Sequence, residues 1–401
     1  MTSSSEPLPA RRDSVLLVTG AYFPEISAAG VQCRAVAAAL RDCVTFGVLT
    51  TAVDPALPSQ DAVDGVPVHR IGVDVRSRWS TASAALRTLA RLPGILGGYD
   101  IVHLHGFSKK NVLITWAARR AGKRIVLTLH TAGQDEPDVV RRAGRAAYRS
   151  FMTADAVLAV SPDLQQAYAR DAAGRVRVHL APNGIDTQRF RPLPPPARTA
   201  LRQRLHLPID RPIVLFVGFF SRDKRPDLLF RAWQRATTDG GLDATLVLIG
   251  ATAPPYYEVD HGLAGEIRAA AAVAGLADRV HLVPPTNEIA AYFQAADLFV
   301  LPSAREANPL ALLEAMASAL PCIASRLAGA TDVIIEDGVN GRLFPVDDEA
   351  ALTAILVELL THPAEAAALG ARARQTVQAK FDVRRAAKAW LAAYHAATAT
   401  L

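Results

Sequence analysis

Glu306-Ala307-Asn308-Pro309-Leu310-Ala311-Leu312-Leu313-Glu314-Ala315-Met316 sets two carboxylates eight positions apart across the start of a helix. Asn308 is a favoured N-cap residue, and Pro309 suits the first helical position, where its missing N–H would be unpaired anyway. The backbone N–H groups of Leu310 and Ala311 are then free at the positive end of a helix dipole, an arrangement suited to a diphosphate. Glu314 falls roughly 7.5 Å further along the axis at the usual rise, about the span from a diphosphate to a ribose. Glu306 stays on the loop before the helix and can face a group beyond the phosphates. Taken alone, the stretch fits an amphipathic helix with two solvated glutamates equally well. Its surroundings separate the two readings.

Outward from this helix, short apolar runs alternate with alanine-rich helical patterns. In the second half strands are expected at 213–217, 245–249, 280–282, 298–301 and 322–324. Helices are expected there at 226–236, 262–274, 287–295, 309–319, 349–360 and 364–379, with a last one at 383–397. The first half repeats the pattern, with strands at 15–18, 45–49, 66–71, 101–104, 125–129, 156–160 and 176–180. Its helices fall at 31–40, 81–91, 111–121, 138–152 and 162–170. Such alternation implies βαβ units and parallel sheets covered by helices, an α/β fold. Arg191-Pro192-Leu193-Pro194-Pro195-Pro196 interrupts it, because proline removes donors and fixes φ. The expected division is a tail at 1–13, a first domain at 14–190, a linker at 191–211 and a second domain at 212–380. Neither half carries Gly-x-Gly-x-x-Gly, so a dehydrogenase lacks its usual phosphate loop. Open parallel sheets still bind at the carboxyl ends of their strands, so two such domains would face one another across a cleft.

Pro302-Ser303, Glu306 to Glu314, Ala315-Met316-Ala317, Leu320-Pro321, Ala324-Ser325 and Asp337-Gly338-Val339-Asn340-Gly341 together resemble the donor-site block of retaining glycosyltransferases of family 4. Ala181-Pro182-Asn183-Gly184-Ile185-Asp186 with Phe190 is similar to that family's domain-junction signature, and Asp100 to His105 and Thr128-Leu129-His130-Thr131 to its first domain. The resemblance covers nearly the whole chain from Val15. It implies the GT-B fold, two Rossmann-like domains facing an inter-domain cleft, with the helix in 381–401 crossing back onto the first domain. It also implies a nucleotide-diphosphate sugar as co-substrate and no other cofactor.

The family's site carries over residue by residue. Glu306 is expected on the hydroxyls of the transferred sugar and Glu314 on those of the ribose; carboxylates suit vicinal diols because each oxygen accepts hydrogen bonds. Asn308, Leu310 and Ala311 form the diphosphate end of the helix. Lys224, six residues after Gly218, matches the phosphate lysine and would stabilise the departing diphosphate. Many relatives have an arginine where this chain has Phe219, so Arg222, or else Arg225, is expected to supply the second cation. Ala307 stands where glycine is commoner. In the first domain Gly30 is expected on the loop after the first strand, where glycine lets backbone approach a ligand closely. His130 is expected to bind the donor sugar with Thr131 beside it, while His103 and His105 serve packing. Asn183 and Asp186 shape a turn. No Asp-x-Asp occurs, and side-chain cations take the place of a metal ion. The reading is a metal-independent retaining glycosyltransferase acting on a glycan, lipid-linked or small-molecule acceptor. The alternatives are an inactive nucleotide-sugar-binding protein and a GT-B phosphorylase or epimerase.

The 401 residues are 50% apolar and 20% charged, a globular composition, and no apolar run approaches the ~18–20 residues that span a bilayer. Cys33, Cys43 and Cys322 lack metal-ligand spacing and cannot all pair, which fits a reducing cytoplasm. The net charge of +6 comes with no nucleic-acid motif. Arg141, Arg145 and Arg149 repeat every fourth residue of the helix expected at 138–152, with Tyr148 and Phe151 nearby. That face either rests on an anionic membrane or is simply hydrated.

Overall fold

The computed structural model describes residues 13–252 and 259–399. Of the tail expected at 1–13, all but Asp13 lies outside the described residues. The chain forms two compact units. The first runs through Val160, takes in Leu164–Ala181 and resumes from Ala387 onward; the second comprises Ser161–Asp163 and Pro182–Ala386.

In the first unit eight strands form one sheet: β1 (Asp13–Thr19), β2 (Val44–Ala52), β3 (Gln60–Val63), β4 (Val66–Gly72), β5 (Ile101–His105), β6 (Arg124–Leu129), β7 (Ala156–Ala159) and β8 (Val178–Leu180). Their spatial order is β3-β4-β2-β1-β5-β6-β7-β8, and every pair is parallel except the β3–β4 hairpin. Central parallel strands are covered on both faces, and Val15 to Val18 are accordingly buried throughout. The edge strand β3 was not expected from its polar sequence, although the Asp64-Gly65 turn that closes the hairpin, both residues at positive φ, is a recognised hairpin signal.

The second unit carries β9 (Ile213–Val217), β10 (Thr245–Ile249), β11 (Val280–Val283), β12 (Leu298–Leu301), β13 (Cys322–Ser325) and β14 (Arg342–Phe344). These lie in the order β11-β10-β9-β12-β13-β14, all parallel. Counted within the unit this is 3-2-1-4-5-6, the order of doubly wound nucleotide-binding sheets. Alternate residues feed opposite faces, as the pleat requires. Val214 and Phe216 join one core with the buried Trp233, while Ile213 and Leu215 join another with Phe293 and Met316. Two α/β units of this kind agree with the expected fold class.

Three local expectations change. The helix expected at 138–152 is two, Pro137–Arg142 and Arg145–Phe151, broken at Gly144 with φ 118°. Arg141 therefore does not share a helix with Arg145 and Arg149. Its guanidinium is held by Asp138 and Asp171, and Phe151 is buried, so the proposed arginine face does not form. Inside the 191–211 stretch a helix spans Pro195–Arg204. Proline at its first positions is tolerated because those N–H groups lack helical partners. Among the described residues no single helix is long and apolar enough to cross a membrane.

Candidate functional site

Strand order singles out one place in the second unit. Connections leave β9 and β12 in opposite directions across the sheet, opening a crevice beyond their carboxyl ends. The loop after β9 carries Gly218 to Arg225, and the loop after β12 carries Pro302 to Pro309. The two are laced together. Ala304 N donates to Asp223 O at 2.7 Å, and Arg305 pairs with the Asp223 carboxylate. Lys224 Nζ donates to Glu306 Oε1 at 2.6 Å, and Ser303 Oγ donates to the same oxygen at 2.8 Å. The Glu306 side chain is 8% exposed and that of Lys224 is 28% exposed. Residues 82 positions apart thus form a nearly enclosed ion pair.

Close backbone approach holds these loops. A Cβ on Gly250, just after β10, would lie 1.7 Å from Gly218 O, so only glycine fits there. Arg225 takes a left-handed conformation at φ 51°, with Asp227 and Asp347 gripping its guanidinium. Arg222 is bonded to Asp260 at 2.9 Å and Glu266 at 3.3 Å. The second cation expected from Arg222 or Arg225 is therefore occupied elsewhere in both cases, and Lys224 is the loop cation that meets Glu306.

The helix after the second loop spans Leu310–Ala317, one position later than expected. Its N-cap is Pro309, whose carbonyl accepts from Leu313 N at 3.3 Å. Asn308 does not cap. Its Oδ1 accepts from Asn183 N and its carbonyl accepts from Asn183 Nδ2, both at 2.8 Å. Asn183 is thus a clamp on the loop, a role that sequence spacing could not show, and the turn here lies at 187–189, where Asp186 Oδ1 accepts from the amides of Gln188 and Arg189. Leu310 and Ala311 still open the helix, where first-turn amides lack intrahelical acceptors. Asn308→Ala would leave the buried Asn183 N–H without its acceptor. We expect it to cost about 1–3 kcal/mol, read as a lowered Tm.

Glu314 sits one turn further in and is buried. Burial pushes its carboxyl pKa up to about 8, opposed only by the field of Arg189. Its carboxyl therefore holds a proton to higher pH than an exposed glutamate would.

In the first unit the corresponding crevice lies beyond β1 and β5. Gly30 is in the first turn of the helix Ala28–Leu40, not on the loop before it. Its amide is satisfied by Ser27 Oγ at 3.0 Å, and a Cβ would meet Ala21 O at 2.7 Å. Close packing requires this glycine. His130 Nε2 meets His105 Nδ1 at 3.0 Å, and burial draws the His130 pKa down to about 4, so the ring is neutral. Asp135 staples the exits of β5 and β6, accepting from the amides of Phe107, His130 and Thr131 at 2.7–2.9 Å. His103 is a packing residue, bonded to Thr128 Oγ1 and Tyr394 Oη. Lys110, not singled out in the sequence, donates to Thr19 O at 3.3 Å, and burial lowers its pKa to about 8.

The chain as a whole is similar to known proteins. The family described as "Glycosyltransferase Family 4" matches residues 29–189, and "Glycosyl transferases group 1" matches residues 197–376. A D-inositol 3-phosphate glycosyltransferase of Xylanimonas cellulosilytica is 34% identical over 320 residues, 75% of this chain and 73% of the relative. Among solved structures, sucrose-phosphate synthase from Thermosynechococcus elongatus superposes with TM-score 0.75 at 24% identity, covering 97% of this chain and all of the other. An Anabaena protein solved in complex with UDP-glucose gives 0.74 at 20% identity, covering 94% and 97%. With a relative of this identity and coverage, matches on both halves and two GT-B-type sheets, the chain belongs to glycosyltransferase family 4.

Proposed function

We propose that this protein moves a sugar from a nucleotide-diphosphate sugar to an acceptor hydroxyl, with retention of anomeric configuration and without a metal ion. The observation that carries this is the Lys224–Glu306 pair at the β9–β12 crevice, beside the open end of the helix Leu310–Ala317. A diphosphate arriving there gains Lys224 and the first-turn amides. Both stabilise the charge that grows on the leaving group. Glu306, released from Lys224, then accepts from the sugar hydroxyls, with Ser303 holding its orientation. Glu314 takes the ribose hydroxyls. From the first unit, His130 is assigned to the donor sugar as a neutral hydrogen-bonding group, and retention follows from same-face attack through an oxocarbenium-like transition state.

The structural neighbour solved with UDP-glucose makes UDP-sugars the first donors to test. The relative's name makes D-inositol 3-phosphate the first acceptor, ahead of glycans and lipid-linked sugars. We place the reaction in the cytoplasm, where the three cysteines, all free, would stay reduced.

A panel of nucleotide sugars, assayed for nucleotide release with and without acceptors, tests the reading. Acceptor-dependent release is expected, and the product anomer by NMR should match that of the donor. Binding without release from any donor would favour the inactive-binder alternative, and phosphate-dependent release a phosphorylase. Because Lys224 and helix amides supply the positive charge, EDTA should leave the rate essentially intact. Complete loss restored by magnesium or manganese would show that the diphosphate is neutralised by metal.

A further inference from the structure

The helix Arg78–Leu96 of the first unit is apolar on two sides. Its inner side buries Ala84, Leu92 and Ile95. On its outer side Trp79 is 87% exposed and Leu86, seven residues on, is 69% exposed. Seven residues at about 100° each bring the two onto one line, and Ala82, Ala90 and Pro93 extend that line, all exposed. A helix with water on one side ordinarily turns polar residues to it. The neighbouring helix Lys110–Arg120 packs against this one and exposes a second indole, Trp116 (57%), with the Arg120 guanidinium 5.4 Å above its ring.

Charge around these helices is one-sided. Between Val75 and Gln134 the sequence holds ten lysines and arginines and a single acid, Asp100. Arg119 and Arg124 are answered by Asp155. Among the described residues Arg87 and Arg91 bond to uncharged oxygens, those of Gly72 and Arg70 and the Ser83 hydroxyl, and no carboxylate there pairs with either.

We propose that this face, centred on Trp79, Leu86 and Trp116, docks on an anionic lipid bilayer. An apolar line on a helix lying flat, with indoles to enter the headgroup region and arginines beside them, is the build of an interfacial helix. Indole suits that boundary because its ring is apolar and its N–H stays hydrated. The sixty-residue excess of positive charge complements a continuous negative surface. The face lies on the first unit, and the donor loops belong to the second. It also replaces the Arg141–Arg149 surface that the fold does not build.

The test is co-sedimentation of the full chain with phosphatidylcholine vesicles, with and without phosphatidylglycerol, at low and high salt. Binding is expected only with phosphatidylglycerol and should weaken with salt. Arg120→Gln and Lys123→Gln should each weaken it about fivefold. Trp79→Ser with Leu86→Ser and Trp116→Ser should weaken it by about tenfold or more, with Tm unchanged because all three side chains are exposed. Of the four tryptophans Trp233 and Trp390 are buried, so brominated lipid should quench fluorescence only through Trp79 and Trp116. Absence of binding at low salt, equal binding to pure phosphatidylcholine, or full binding by the triple serine variant would overturn the proposal. So would a wild-type dimer that the triple variant abolishes while vesicles go unbound, since that would make the face a contact between copies.

Discussion

Lys224→Ala and Glu306→Ala are each expected to lower kcat by at least tenfold, and Lys224→Ala by on the order of a hundredfold. Removing one preorganised donor to developing negative charge typically has that effect. Because these contacts strengthen as the leaving group departs, the loss should appear in kcat more than in KM. The two groups touch at 2.6 Å, so their effects should not add. Removing Lys224 leaves the Glu306 carboxylate, with only 8% of the side chain exposed, without its countercharge. The single variants should therefore melt below the wild type, and the double variant should recover part of that difference. Circular dichroism melts beside the assays separate lost fold from lost chemistry. Unchanged turnover in both single variants would remove the pair from the mechanism.

Glu314→Gln is expected to have its largest effect on stability and on nucleotide affinity, and a smaller one on kcat. Its carboxyl has a pKa of about 8 in the folded protein against 4.5 in the unfolded chain, so between these values the folded state holds the extra proton. The stability attached to that proton is full below pH 4.5 and is lost as pH rises through about 8. The total is on the order of 5 kcal/mol. Glutamine cannot ionise and escapes the loss, so the variant should gain Tm over the wild type at pH 8 and not at pH 5. Binding runs the other way. A ribose diol donates to a carboxylate, so nucleotide binding near pH 7 should release a proton from Glu314, and the variant should bind UDP about tenfold more weakly without that release. Calorimetry in buffers of different ionisation enthalpy measures the proton. Identical proton release by variant and wild type would place the ribose elsewhere.

Much of this is legible in the amino-acid sequence. Apolar runs such as Val15 to Val18 and Ile213 to Val217 can only be central strands, because nothing in them tolerates water on either face. The spacing Glu306 to Glu314 and the position of Lys224 after Gly218 are local facts, and local facts survive folding. Where a break depended on one backbone conformation the sequence was less informative. Gly144 splits a helix whose side-chain pattern runs straight through it, and Pro195 opens a helix where proline suggested a linker.

Long-range pairing required the tertiary structure. Asn308 has the composition of an N-cap, yet Asn183, 125 positions away, claims its side chain. Arg222 and Arg225 are chemically equal to the task of binding phosphate, and only the fold shows that each is paired with a carboxylate from elsewhere in the chain, Asp260 and Asp347. Glu314 shows the same divide most plainly. Its place on the helix follows from counting residues, but its protonation state follows from desolvation by neighbours drawn from across the chain. Composition and period set which elements form, because those terms act over a few residues. Charge state and partner choice depend on distance and dielectric in three dimensions, which no stretch of sequence contains.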